Sequence, residues 1–208
     1  MTFILPLVLG FCISFLAVIL PGLINMTAAK ISLQESKNES ISFAACAATI
    51  FFFQTFIAVM FARFISVHEE IVATLQEIGI FIFSGLSIYF FWVAKKPKKI
   101  KTHKTVKGKS NRFFFGMLLS MLNLLPIPFY VFASMGLAAA GYFSFDKIPV
   151  SSFVIGVVLG SFSVFYLYIV AFKKVEKKTE FLMQNINIVI GSVTTFMAVV
   201  TLIKLLYH

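Results

Sequence analysis

Leu20-Pro21-Gly22-Leu23-Ile24-Asn25 lies inside a long apolar segment instead of ending one, for residues 1–29 contain no charged side chain. A helix needs only about 20 residues to cross the hydrocarbon of a bilayer. Proline inside such a segment removes a backbone donor, and glycine loosens the next turn. The carbonyls so freed must find partners, because lipid supplies none. The pair is therefore either a packed kink or opened backbone that receives a solute. A second interruption near Asn123 favours the solute.

Composition sets the frame for that choice. Of the 208 residues 60% are hydrophobic and only 12% charged, which no ordinary soluble domain shows. The charges leave six uncharged runs, Met1–Ala29, Ser40–Ala62, Ile78–Ala94, Phe113–Phe145, Ile148–Phe172 and Phe181–Ile203. Five exceed the spanning length and the third meets it with its flanks. The expected fold is an all-α integral membrane protein of six transmembrane helices, with no room for a soluble catalytic domain. The first run lacks a basic leader and is too long for a cleaved signal peptide. Cys12 and Cys46 both fall inside predicted helices and are expected to fill core volume.

The basic residues set the orientation. With the Lys95–Arg112 connection inside, the inner connections hold Lys30 and Lys37, nine basic residues from Lys95 to Arg112, and Lys173, Lys174, Lys177 and Lys178. The outer side keeps only Arg63, Lys147 and Lys204. Both termini are then predicted outside a plasma or inner cell membrane. The net charge of +10 reads as topology and as attraction to anionic lipid at the basic loop. Nucleic acid is not an expected partner, because that loop carries no aromatic interleaving and abuts the bilayer.

The fourth run contains Asn123-Leu124-Leu125-Pro126-Ile127-Pro128, so it too has proline well inside an apolar segment. Interrupted segments at matching places in two halves point to a transporter's site. The second and fifth runs agree with a repeat, through Ala44-x-x-x-Ala48 and Gly156-x-x-x-Gly160, spacings that let backbones approach. The third and sixth begin alike, with Gln76-Glu77-Ile78 and Gln184-Asn185-Ile186. The chain thus divides into a three-helix repeat at residues 1–94, a basic cytoplasmic loop at 95–112 and a second repeat at 113–208. Three is odd, so the second copy enters the bilayer upside down, with a shared site near mid-membrane. Ser36-Lys37-Asn38-Glu39 fits a capping box for the second run. Tyr89 and Trp92 read as an inner aromatic anchor, and Tyr142 and Phe143 as an outer one.

On these motifs the chain resembles the lysine-exporter (LysE/RhtB) family of amino-acid efflux proteins over essentially its full length. Leu20-Pro21-Gly22-Leu23-Ile24-Asn25 is similar to that family's Pro-Gly-Pro-Asn motif. Phe115-Gly116 followed by Leu122-Asn123 is similar to its Gly-then-Leu-Asn-Pro-Lys stretch. Leu23 and Ile24 replace the family's proline and asparagine, and Leu124 and Leu125 replace its Pro-Lys. The resemblance implies outward transport of amino acids, and carries Pro21, Gly22 and Asn123 over by position. Asn25, Pro126 and Pro128 carry over only if the irregular backbone has slid by a few residues.

The membrane-buried polar inventory is short: Asn25, Thr27, Thr49, Gln54, Asn123 and scattered Ser, Thr and Tyr. Pro21, Gly22, Asn25, Thr27, Asn123, Pro126 and Pro128 are the expected solute-binding residues. For each asparagine the plain alternative is a helix–helix hydrogen bond. No acidic, basic or histidine residue sits in the middle of any run. That disfavours a divalent-metal carrier and a dedicated lysine carrier, and leaves no nucleophile–base pair or metal site for an enzyme. No cofactor is expected. A zwitterion fits, its carboxylate on the positive end of a half-helix and its ammonium on opened carbonyls. The competing reading is a non-transporting membrane scaffold. A homo-oligomer built on Gly156-x-x-x-Gly160 stays open, as does an intramolecular use of that spacing.

Overall fold

A computed structural model of the chain describes residues 3–20, 22–68 and 112–184, with 81, 84–85, 87–93, 188, 191–192, 195–196, 198–199 and 202–203. Over 172–184 the description covers the backbone only. The described residues are helical, with no strand among them. Six α-helices have both ends among the described residues: α1 (Ile4–Val18), α2 (Leu23–Gln34), α3 (Lys37–Val67), α4 (Arg112–Leu122), α5 (Pro126–Ala139) and α6 (Lys147–Gln184). A π-helical turn occupies Tyr89–Val93.

Among the described residues two helices are long and apolar enough to cross a membrane, α3 and the Lys147–Ala171 part of α6. The count is four if each of two bent pairs is one span: α1 with α2, bent by 76°, and α4 with α5, bent by 63°. This is compatible with an integral membrane protein. Parts of the third and sixth uncharged runs, and the basic loop before Arg112, lie outside the described residues.

Local sequence explains each boundary. α1 stops three residues short of Pro21, since a residue preceding proline is pushed out of the helical region. α2 restarts after Gly22, which is extended at φ −113° and ψ 174°. α5 opens on Pro126, where a missing N–H costs nothing. It closes in a Schellman turn: Gly141 takes φ +77°, and Tyr142 N–H donates to the Leu137 carbonyl at 3.0 Å. The expected cap of α3 is present, with Glu39 N–H donating to Ser36 Oγ at 3.2 Å.

Three expectations change. The lysines Lys173–Lys178 lie on α6 and not in a connection. Lysine and glutamate are good helix formers, and no Gly or Pro intervenes to end the helix. Phe143 is no interfacial anchor but is buried, 5.3 Å from the Phe153 ring, while Tyr142 beside it is exposed. Cys46 is buried as expected, whereas Cys12 is exposed.

The chain forms two compact units, residues 1–66 with 108–175, and residues 67–107 with 176–208. Each unit draws on both sequence halves. In the second, the Ser87 and Thr195 hydroxyls are hydrogen-bonded, and Thr195 also donates to the Gly191 carbonyl at 2.8 Å. The Phe91 ring lies against the Cα of Gly191. The third and sixth runs therefore meet within that unit.

In the first unit the packing is crossed between halves. Gly10 on α1 lies so close to the Phe153 carbonyl of α6 that a Cβ would collide with it. Gly116 on α4 meets the Phe43 carbonyl of α3 in the same way. Gly156 and Gly160 also turn to α1, against the Leu7 and Phe11 carbonyls, so their spacing is used within the chain. Gly10 and Gly116 are each followed four residues later by a fully buried serine, Ser14 and Ser120, and then by the break. Each bent pair thus leans on the long helix of the other half.

Candidate functional site

The polar residues of the first unit gather at the two breaks. At the first, Asn25 Nδ2 donates to the Val18 carbonyl at 2.6 Å and the Leu20 carbonyl at 2.8 Å. Two acceptors fix which way the carboxamide faces. The Ile19 carbonyl between them accepts from Tyr168 OH on α6 at 2.9 Å. The Val18, Ile19 and Leu20 carbonyls are therefore satisfied by side chains. The first turn of α2 closes with Met26 N–H on the Gly22 carbonyl at 3.0 Å. Glycine offers no capping side chain, so Leu23 and Ile24 N–H have no acceptor among the described residues. The first break presents donors at the positive end of a helix.

The second break has the opposite character. Leu122 would normally accept from residue 126 and Leu124 from residue 128, and both are proline. Gln54 on α3 compensates in part. Its Nε2 donates to the Ser120 carbonyl at 3.0 Å and the Asn123 carbonyl at 2.8 Å. Ile127 N–H reaches the Leu124 carbonyl at 3.2 Å, and Phe129 N–H the Leu125 carbonyl at 3.4 Å. Oxygen remains in surplus. Gln54 Oε1, Ser120 Oγ and Thr55 Oγ1 are buried with no hydrogen-bond partner. What remains beside the negative end of α4 is one acceptor, Gln54 Oε1, and the Ser120 hydroxyl, which can donate or accept.

Two ties hold the bent pairs side by side. Tyr130 OH on α5 donates to Ser14 Oγ on α1 at 3.1 Å. At the other end Arg112 forms a two-pronged ion pair with Glu35, one arm at 2.7 Å, and its guanidinium lies 6.0 Å from the Phe115 ring centre. So α1 meets α5 near Ser14, and α2 meets α4 near Glu35.

The expected solute-binding residues take distinct places. Pro21 lies outside the described residues. Gly22 is exposed at the start of α2, and Asn25 is buried with its amide committed to its own break. Thr27 donates back to the Leu23 carbonyl at 2.7 Å, as a lone helix threonine does. Asn123 is half-buried, bonded through its backbone, with no side-chain hydrogen bond among the described residues. Pro126 is buried beneath the second break and Pro128 is exposed. Gln54, Tyr168, Tyr130 and Ser120 were not singled out from sequence. The signal for Ser120 was available: Gly10-x-x-x-Ser14 and Gly116-x-x-x-Ser120 stand at nearly equal distances before Pro21 and Pro126. Gln54 and Tyr168 reach their carbonyls across helices, which spacing does not reveal. Set against protein-family models, curated proteins and solved structures, the chain matches none.

Proposed function

We propose that this chain is a secondary transporter that exports amino acids or similar small zwitterions by alternating access. In this reading it spans a plasma or inner membrane six times, as two inverted three-helix repeats with both termini outside. One observation carries the reading. No described residue accepts from the Leu23 and Ile24 N–H groups at one break, and Gln54 Oε1 and Ser120 Oγ are buried without a partner at the other; in this reading the two breaks share a level. A molecule with a carboxylate at one end and an ammonium at the other matches that pair. A charge resting on a helix end gains about 0.3–2 kcal/mol, enough to orient a solute without holding it fast. The crossed packing of Gly10 on Phe153 and Gly116 on Phe43 supports the inverted arrangement, since it pairs like with like after exchange of the halves.

The ties at either end fit alternating access. Ser14–Tyr130 and Glu35–Arg112 join the bent pairs on opposite sides of the breaks. Opening one tie while the other holds would expose the shared level to one side at a time. Uptake of labelled amino acids into inverted vesicles carrying the chain is the test. Uptake above that of empty vesicles is expected for at least one zwitterion of a broad panel. Equality across the panel would end the proposal.

A further inference from the structure

The two breaks differ in what holds their flanks. Both sides of the first lean on α6. Phe15 and Val18 before it, and Met26 and Ala29 after it, pack with Val164 and Tyr168. Tyr168 OH holds the Ile19 carbonyl between them, and Ser32 Oγ on α2 donates to the Ile169 carbonyl at 3.1 Å. Asn25 bridges the gap as well, from α2 back to the Val18 and Leu20 carbonyls. So α1, α2 and α6 make one block.

The second break is divided between two blocks. Its α4 side belongs to α3: Gln54 holds the Ser120 and Asn123 carbonyls, Gly116 lies on the Phe43 carbonyl, and the Phe43 and Phe115 rings stand 5.8 Å apart. Its α5 side belongs to the α6 block, through Tyr130, which bonds Ser14 on α1 and meets the Phe153 ring edge-on at 6.5 Å. Across the gap the helical bonds to the Leu122 and Leu124 carbonyls from residues 126 and 128 are deleted, because both are proline. Ile127 N–H turns instead to Leu124, inside the break.

A mechanical consequence follows. Any shift of α3 against α6 takes α4 along and leaves α5 behind, so the bend between α4 and α5 must change. The same shift leaves the first bend alone, since both its flanks follow α6. Packed helices move as bodies, and a few element-terminal residues absorb the change. We propose that residues 123–125 are the moving joint of this unit, at which α3 with α4 turns against α1, α2, α5 and α6, and that the first break is rigid. The joint deepens the transporter reading and rests on it only for its purpose. The Leu23 and Ile24 N–H groups stay fixed, and the Gln54 side of the site moves.

The Glu35–Arg112 pair crosses from one block to the other and offers a handle. Arg112→Glu sets two carboxylates against each other, a push that either break could relieve. Spin labels read which one yields. One pair, at Phe114→Cys and Gly136→Cys, flanks the second break; the other, at Leu16→Cys and Leu33→Cys, flanks the first. All four positions are exposed, and Gly136 faces open space. The full-length chain carries Cys12→Ser and Cys46→Ala and sits in lipid nanodiscs for pulsed electron resonance. Arg112→Glu is expected to move the second distance by about 2 Å, the yield of about 20° of bending on arms of about ten residues, and to leave the first unmoved. Arg112→Gln, which only removes the attraction, should give a smaller shift in the same direction. Adding Glu35→Arg to Arg112→Glu restores the pair and should return the second distance to its starting value, which an unfolded chain would not do. A change in the first distance, alone or with the second, overturns the joint, and so does no change in either. A response at the second pair without amino-acid flux in vesicles keeps the joint and removes the exporter. Flux with a silent second pair removes the joint alone.

Discussion

The break between α1 and α2 and the break between α4 and α5 are made by the same means, proline within an apolar run, but they are finished differently. In the first, Asn25 and Tyr168 take up the carbonyls and leave the N–H groups of α2. In the second, prolines delete the N–H groups of α5, and Gln54 takes up only part of the carbonyl surplus. The two breaks are thus left differently satisfied. The lesson is that a kink in lipid is never free, and that what remains after the repair decides what it can bind.

The glycine crossings allow the strongest test of the likeness between the halves. Gly10→Val and Gly116→Val drive a side chain into the Phe153 and Phe43 backbone, which cannot step aside. Each should cost about 3 kcal/mol or more, seen as loss of folded protein by fluorescence-detected size exclusion. If only one collapses, the crossings are not equivalent. Next come the caps. Asn25→Leu and Gln54→Leu each strip the donor from two carbonyls, for a loss on the order of 2–4 kcal/mol in detergent unfolding. Tyr168→Phe strips one and should cost about half as much. Equal stability for Gln54→Leu and wild type would show that the second break is not held by α3.

Function separates the breaks more sharply than stability does. Pro126→Ala restores a donor to Leu122 and should let α4 run on into α5. Uptake should fall to the empty-vesicle background while abundance in the membrane stays near normal. Gly22→Leu should do the same at the first break, by covering the N–H groups of α2. Uptake at the wild-type rate in both variants would make the breaks mere bends. The smallest effect belongs to the Glu35–Arg112 tie, whose side chains are 26% and 12% exposed. Solvent screening limits such a pair to about 1 kcal/mol. Arg112→Gln should lower the unfolding temperature slightly, and less so at high salt. The exchange Glu35→Arg with Arg112→Glu should recover most of the loss.

Much of this was legible in the residues. The uncharged runs located α3 and the apolar part of α6, and proline placed both breaks within a few residues, because lipid length and the missing N–H are local constraints. The Gly156-x-x-x-Gly160 spacing correctly marked close approach, although its partner lay beyond reach of a linear reading. The site was less legible. Asn25 was noticed for its position, and its amide nitrogen holds two carbonyls of the break. Asn123 was noticed likewise, and its backbone carbonyl is held by Gln54. Gln54 and Ser120 decide the character of the second break, yet a glutamine in a phenylalanine-rich helix and a serine in a leucine-rich one look incidental until the helices are packed. Lys173–Lys178 misled in the other direction, since a charged cluster need not interrupt a helix.

The Ile19–Tyr168 bond joins residues 149 positions apart, and that distance bears on how the chain is made. A ribosome delivers the first interruption to the bilayer long before the tyrosine that quiets Ile19 has been synthesised. During that interval water, a neighbouring lipid headgroup or the insertion machinery must stand in for the absent hydroxyl. Biogenesis, more than the finished molecule, is where a defect at Tyr168 would first be felt.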